Sequence, residues 1–260
     1  MTRLTGTIAL ILFFVVASTG LLAADKDEEP TISEKATDYA KSFKKEYKKM
    51  ASAQQIEAID KMVAYYTNKE VTEKKARKAL LEGISKGTIV KDKTVVAHVM
   101  KKAALIGEDS LKILLPTLNR ELSQKAPNES IYETALESLG KIHSPNKMAT
   151  KTLTKLLNNK DNTIVGLAAR AIAGYGQSSG KIRKELFEEV LKSTEGVYSG
   201  AQSQNQTLER KWNIIEDDVM SALQKLSHAK IQDPAAARGW FNKNKKKSWD
   251  LPKDTPEKDK

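Results

Sequence analysis

Apolar residues recur along the middle of this chain at helical spacing. In residues 99–107 (VMKKAALIG), 132–140 (YETALESLG) and 165–173 (VGLAARAIA), an opening Val99, Tyr132 or Val165 is followed four positions on by Ala103, Leu136 or Ala169. Three positions further come Ile106, Leu139 or Ile172. Positions i, i+4 and i+7 share one face of an α-helix, so each segment predicts a helix with a buried stripe. The segments begin 33 residues apart. Gly107 and Gly140 fall where these helices should end, since glycine takes the left-handed turn that stops a helix.

Between these helices lie others with stripes of their own: Leu111, Leu114, Leu115, Leu118 and Leu122, then Met148, Leu153, Leu156 and Leu157, then Ile182, Leu186, Val190 and Leu191. Helix pairs at a fixed period predict an all-α fold, an α-solenoid of stacked antiparallel pairs with about four to five repeats. The stretch VGLAARAIAGYG (165–176) is dense in alanine and glycine. Glycine costs a helix roughly 1 kcal/mol against alanine. A second helix sandwiched between its partner and both neighbouring repeats recovers that cost, because small side chains let backbones approach closely.

The second-helix segments resemble those of the HEAT-repeat family. DNTIVGLAARAIAGYG (161–176) follows that family's order of acidic residue, valine, paired alanines, Leu or Ile, then glycine. Residues 128–142 keep Ala135, Leu139 and Gly140, and residues 92–107 keep Asp92, Ala103 and Ile106 but carry Lys102 where alanine is preferred. The 33-residue period is similar to the short bacterial HEAT-like repeats, including those resembling phycobilisome lyases. The tetratricopeptide Trp-Leu-Gly-Tyr order is missing. The resemblance spans about residues 52–228 and implies an architecture, not an activity. It also implies that second helices line a partner-binding surface, which puts Lys101, Glu133, Glu137 and Arg170 forward as contact residues.

The flanks extend this organisation. Residues 1–24 read as a signal peptide: Arg3, an apolar run over 8–16, then small residues up to Ala24. That run is short for a membrane span, which takes about 20 apolar residues, although an uncleaved anchor stays open. Residues 25–34 read as a disordered linker and 35–51 as a basic amphipathic N-terminal helix capping the stack. The solenoid is expected over 52–242, beginning with a pair at 52–66 and 72–86. A loop insertion is expected at 194–206, and a disordered charged tail over 243–260.

Composition narrows the chemistry. With no cysteine among 260 residues, thiol catalysis, cysteine metal sites and disulfides are excluded. The formal net charge of +11 suits an anionic partner. In an exported protein that partner is an acidic protein, an anionic membrane or a wall polymer, and nucleic acid is disfavoured.

No catalytic constellation emerges. GYGQSSG (174–180) lacks the preceding strand a phosphate-cradling loop needs, and the Ser-x-x-Lys match at 178–181 lacks its partner motifs. His98, His143 and His228 form no metal-ligand pair, and Glu216, Asp217 and Asp218 read as a solvated face. No cofactor motif is found. Lys41, Lys44, Lys45, Lys48 and Lys49 share one helical face opposite Tyr39, Phe43, Tyr47 and Met50, as a basic surface-binding helix would. Trp240, Phe241 and Trp249 stand among lysines 243 and 245–247. Trp240 and Phe241 read as a closing cap on the last helix, and the alternative is Trp240 and Trp249 exposed to a partner or saccharide. The expectation is an exported, non-enzymatic protein-binding scaffold of the cell envelope. The alternative is a peripheral binder of anionic membrane or wall polymer through the 39–50 helix and the 243–247 lysines.

Overall fold

A short polar residue precedes most of the helices and starts them. The Asp92, Asn128, Asn146, Asp161, Asn205 and Asp233 side chains each accept a backbone N–H of the first helical turn. At Thr31 a reciprocal pair forms, with Glu34 N–H donating to Thr31 Oγ1 at 3.2 Å and Thr31 N–H to Glu34 Oε2 at 2.8 Å. The computed structural model describes residues 29–250, and among these every regular element is helical.

The α-helices are α1 (Ile32–Glu46), α2 (Ser52–Thr67), α3 (Lys74–Lys86), α4 (Lys93–Ile106), α5 (Leu111–Leu122), α6 (Glu129–Ile142), α7 (Lys147–Leu156), α8 (Asn162–Ala173), α9 (Gly180–Gln202), α10 (Gln206–Ser227) and α11 (Pro234–Asn244). The helices α2, α4, α6, α8 and α10 stack in sequence as one layer, each packed on the next. The other layer holds α1, α3, α5, α7, α9 and α11. The fold is an all-α solenoid of five helix pairs, closed by α11. One continuous core runs from Ala36 to Trp249.

Helix α8 shows why the small residues are there. Ile164–Ala169 and Ala171–Ala173 are all buried, and Arg170 is the exposed residue of that run. A helix buried nearly all round must meet neighbours on every side, and α8 packs on α6, α7 and α10.

Five expectations are corrected. Gly140 does not end α6; the helix continues to Ile142, and His143 takes the left-handed conformation at φ 36°. The glycine is needed because a Cβ there would stand 2.9 Å from Cα of Ala171. Gly107, at φ 77°, does end α4. The expected loop at 194–206 is mostly helix, since α9 runs on to Gln202. Thr194 and Val197 keep its buried stripe, and the Tyr198 ring packs edge-on against Trp212 at 5.2 Å.

Helix α1 begins at Ile32, inside the expected linker, because Thr31 caps it and Ser33 is buried. Helix α2 stacks on α4 in the layer of second helices, so α1 is its first helix. Segment 52–66 therefore ends one pair while 72–86 opens the next, although the two do pack on each other. The tail is packed through Asp250, with Trp249 buried. The signal peptide at 1–24, linker residues 25–28 and tail residues 251–260 lie outside the described residues. No described helix is long and apolar enough to cross a membrane.

Candidate functional site

The exposed side of the α6–α8–α10 layer carries a groove of about 460 Å³. Its floor is apolar and close to backbone, formed by Leu167, Ala171, Gly140 and Gly174, since the glycines draw the two helices together. Its rim is charged, with Glu137 and Lys141 from α6, Arg170 from α8 and Lys225 from α10.

Two ion pairs order that rim. The Arg170 guanidinium grips Asp218 on α10 with both arms, Nε to Oδ1 at 2.8 Å and Nη2 to Oδ2 at 3.2 Å. This fork matches a carboxylate in a way lysine cannot, and Asp218 raises the Arg170 pKa further. Asp218 reaches Arg170 past Gly166, where a Cβ would crowd Oδ2 at 2.9 Å. Lys141 faces Glu137 at 3.8 Å. Lys225 has no carboxylate within ion-pair distance among the described residues, so the rim carries one uncompensated positive charge. Such a surface fits an acidic group beside an apolar side chain.

The structure brings Glu137 and Arg170 to this groove, with Glu133 acting on Arg170 through its charge. Lys101 is exposed on α4 but lines no wall of the groove. Trp240 and Trp249 are corrected as partner contacts. Their rings meet at 4.9 Å and both pack on Phe187, at 5.5 and 5.4 Å, so they close the end of the solenoid. Trp249 is buried and Trp240 is half-buried.

On the surface-binding side, Phe43 and Tyr47 are buried against the repeats. Lys44 pairs with Glu82 at 2.8 Å and Lys41 with Asp38 at 3.1 Å, while Lys45, Lys48 and Lys49 are exposed. The apolar face of this helix is therefore spent on the core, which leaves lysines alone to meet a surface.

Sequence reasoning missed Lys141, Asp218 and Lys225. Asp218 belongs to the group read as solvated, yet its side chain is only 18% exposed. One usable sign existed, because Asp218 and Lys225 stand seven apart on one helical face. At the other end of the layer Asp60 of α2 takes His98 Nε2 at 2.7 Å and Lys102 Nζ at 2.8 Å, both from α4. Among the described residues no three His, Asp or Glu side chains gather as metal ligands.

No protein-family model and no curated protein matches the chain. Among solved structures it is similar to crystal structures of engineered proteins that were Northeast Structural Genomics Consortium targets. One is 18% identical with a TM-score of 0.43, over 74% of this chain and 79% of that one. A second is 17% identical with a TM-score of 0.45, over 79% and 86%.

Proposed function

We propose that this chain is an exported, non-enzymatic protein-binding scaffold of the cell envelope that holds its partner along the α6–α8–α10 groove. The observation that carries the reading is the groove itself, with an apolar floor between charge-paired walls and one lysine left over. The resemblance of 161–176 to HEAT second helices supports a partner on this layer, because solenoids present extended surfaces set by stacking. The apolar run at 8–16 and the small residues after it support export.

The test uses the chain from residue 25 onward, which holds the whole compact unit starting at Thr31. Immobilised chain is exposed to a native envelope fraction and washed at low and then high salt. The expected result is one protein that survives the high-salt wash and is lost with Arg170→Glu and Lys225→Glu. Retention of only lipid or wall polymer, released by salt as screening shortens charge attraction, overturns the reading and favours the basic termini. Retention that both charge reversals leave intact removes the groove from the proposal.

A further inference from the structure

Arg183 is the largest fully buried side chain of the described residues, 2% exposed, and sits in the first turn of α9. Its Nε donates to the Ser178 carbonyl at 3.1 Å and its Nη1 to the Leu226 carbonyl at 2.9 Å. Among the described residues Nη2 has no acceptor and no carboxylate lies within ion-pair distance of the guanidinium. Burying a charge without a close counter-charge is costly. The position adds to the cost, because the N-terminal end of a helix is itself electropositive.

A cavity of about 210 Å³ opens beside this guanidinium. Trp240 and Trp249 wall it, and Ser227, His228, Asn244 and Lys247 bring polar and basic groups to its edge. Asp250 also borders it, and its charge offsets that of Arg183 from a distance. Its carboxylate is engaged elsewhere, with Oδ1 taking the Gly180 N–H at 3.1 Å and Oδ2 the Ser248 hydroxyl at 2.9 Å.

We propose that this cavity binds a small oxyanion-bearing molecule, a carboxylate or a phosphate, held by the buried Arg183 guanidinium with Lys247 at the mouth. The Nη2 group, with no acceptor among the described residues, can donate a charge-assisted N–H to an oxyanion, and the largely buried position of the guanidinium strengthens that contact. The indole walls suit a compact apolar body behind the charged group. This site lies at the C-terminal end of the solenoid and is separate from the α6–α8–α10 groove.

The test is calorimetric titration of the purified chain with acetate, benzoate and inorganic phosphate at matched ionic strength. The expected result is saturable binding of at least one probe. Asp250→Asn removes a repelling charge yet keeps the Oδ1 acceptor for Gly180, and should tighten binding by about threefold or more. Lys247→Ala, on an exposed side chain, should weaken it by about threefold. Arg183→Gln should abolish it, but Arg183 also ties α9 to α10, so the two outer variants decide. The proposal is overturned if no probe saturates by about 10 mM, or if Lys247→Ala leaves the affinity unchanged and Asp250→Asn fails to raise it.

Discussion

Gly140 of α6 and Gly174, just past the end of α8, meet backbone to backbone. A Cβ on Gly174 would overlap the carbonyl oxygen of Gly140, and one on Gly140 would press on the Ala171 backbone. Backbone cannot swing aside as a flexible side chain can, so Gly174→Ala forces the two helices apart. It should destabilise the protein by about 1–3 kcal/mol, the usual cost of overpacking. Gly196, exposed inside α9 with open space around its Cβ position, is the control. There Gly→Ala should stabilise by up to about 1 kcal/mol. Equal effects of the two substitutions in denaturant unfolding would refute the close-approach argument.

The Glu121 side chain is 2% exposed and ties the turn between α5 and α6. It accepts the Asn128 N–H at 2.7 Å, Lys93 Nζ at 3.2 Å and Gln124 Nε2 at 3.2 Å. Asn128 in turn caps α6. Glu121→Ala leaves the Asn128 backbone donor without its acceptor, while the half-exposed Lys93 ammonium turns to water, and it should cost about 1–3 kcal/mol. Glu121→Gln keeps an acceptor for Asn128 and should cost clearly less. The midpoint of urea unfolding checks both, with the slope expected to stay constant.

The solenoid was legible because its signal is local and periodic: the stripes Val99–Ala103–Ile106 and Val165–Ala169–Ile172 each need only one helix to make sense. Gly140 was misread because a glycine that ends a helix and one that admits a neighbour look the same in one sequence. Only the position of Ala171 separates them. The groove was half legible. Glu137 and Arg170 follow from the repeat columns, but Asp218 comes from 48 residues further along the chain, and nothing near Arg170 announces it. The C-terminal segment misled through composition, since its many lysines hid that Trp249 needs only one aromatic cluster around Phe187 to dock.

Acid should loosen both ends of the stack. Burial works to raise the Asp60 pKa, but the hydrogen bonds and charges of Lys102 and His98 outweigh it and hold the carboxyl below its usual range. The forked contact from Arg238 does the same for Glu195, tying α9 to α11 with Nε at 3.1 Å and Nη2 at 2.6 Å. Both carboxyls have lower pKa values folded than unfolded, so their contribution is present above the unfolded values of about 3.9 and 4.3. It is lost as pH falls through the folded values. Melting temperature should hold between about pH 7 and 5 and drop below about pH 4. Asp60→Asn and Glu195→Gln should each make that drop shallower, and an unchanged acid limb in both variants would count against these pairs.

Tyr175 closes the turn after α8 with no exposed surface, and its hydroxyl has no hydrogen-bond partner among the described residues. A buried hydroxyl left without a partner gives up its water contacts for nothing, at a cost of about 1–3 kcal/mol. Burial also drives its pKa well above the ordinary phenol value of 10.0. The folded value exceeds the unfolded one, so this residue's share of stability is complete below about pH 10 and falls as pH rises beyond it. Tyr175→Phe keeps the ring and its edge-on contact with His143 at 6.5 Å. It should stabilise the protein by about 1 kcal/mol or more and remove part of the alkaline loss. A lower melting temperature in the phenylalanine variant would mean that the hydroxyl is satisfied, for example by an ordered water, and that its burial carries no penalty.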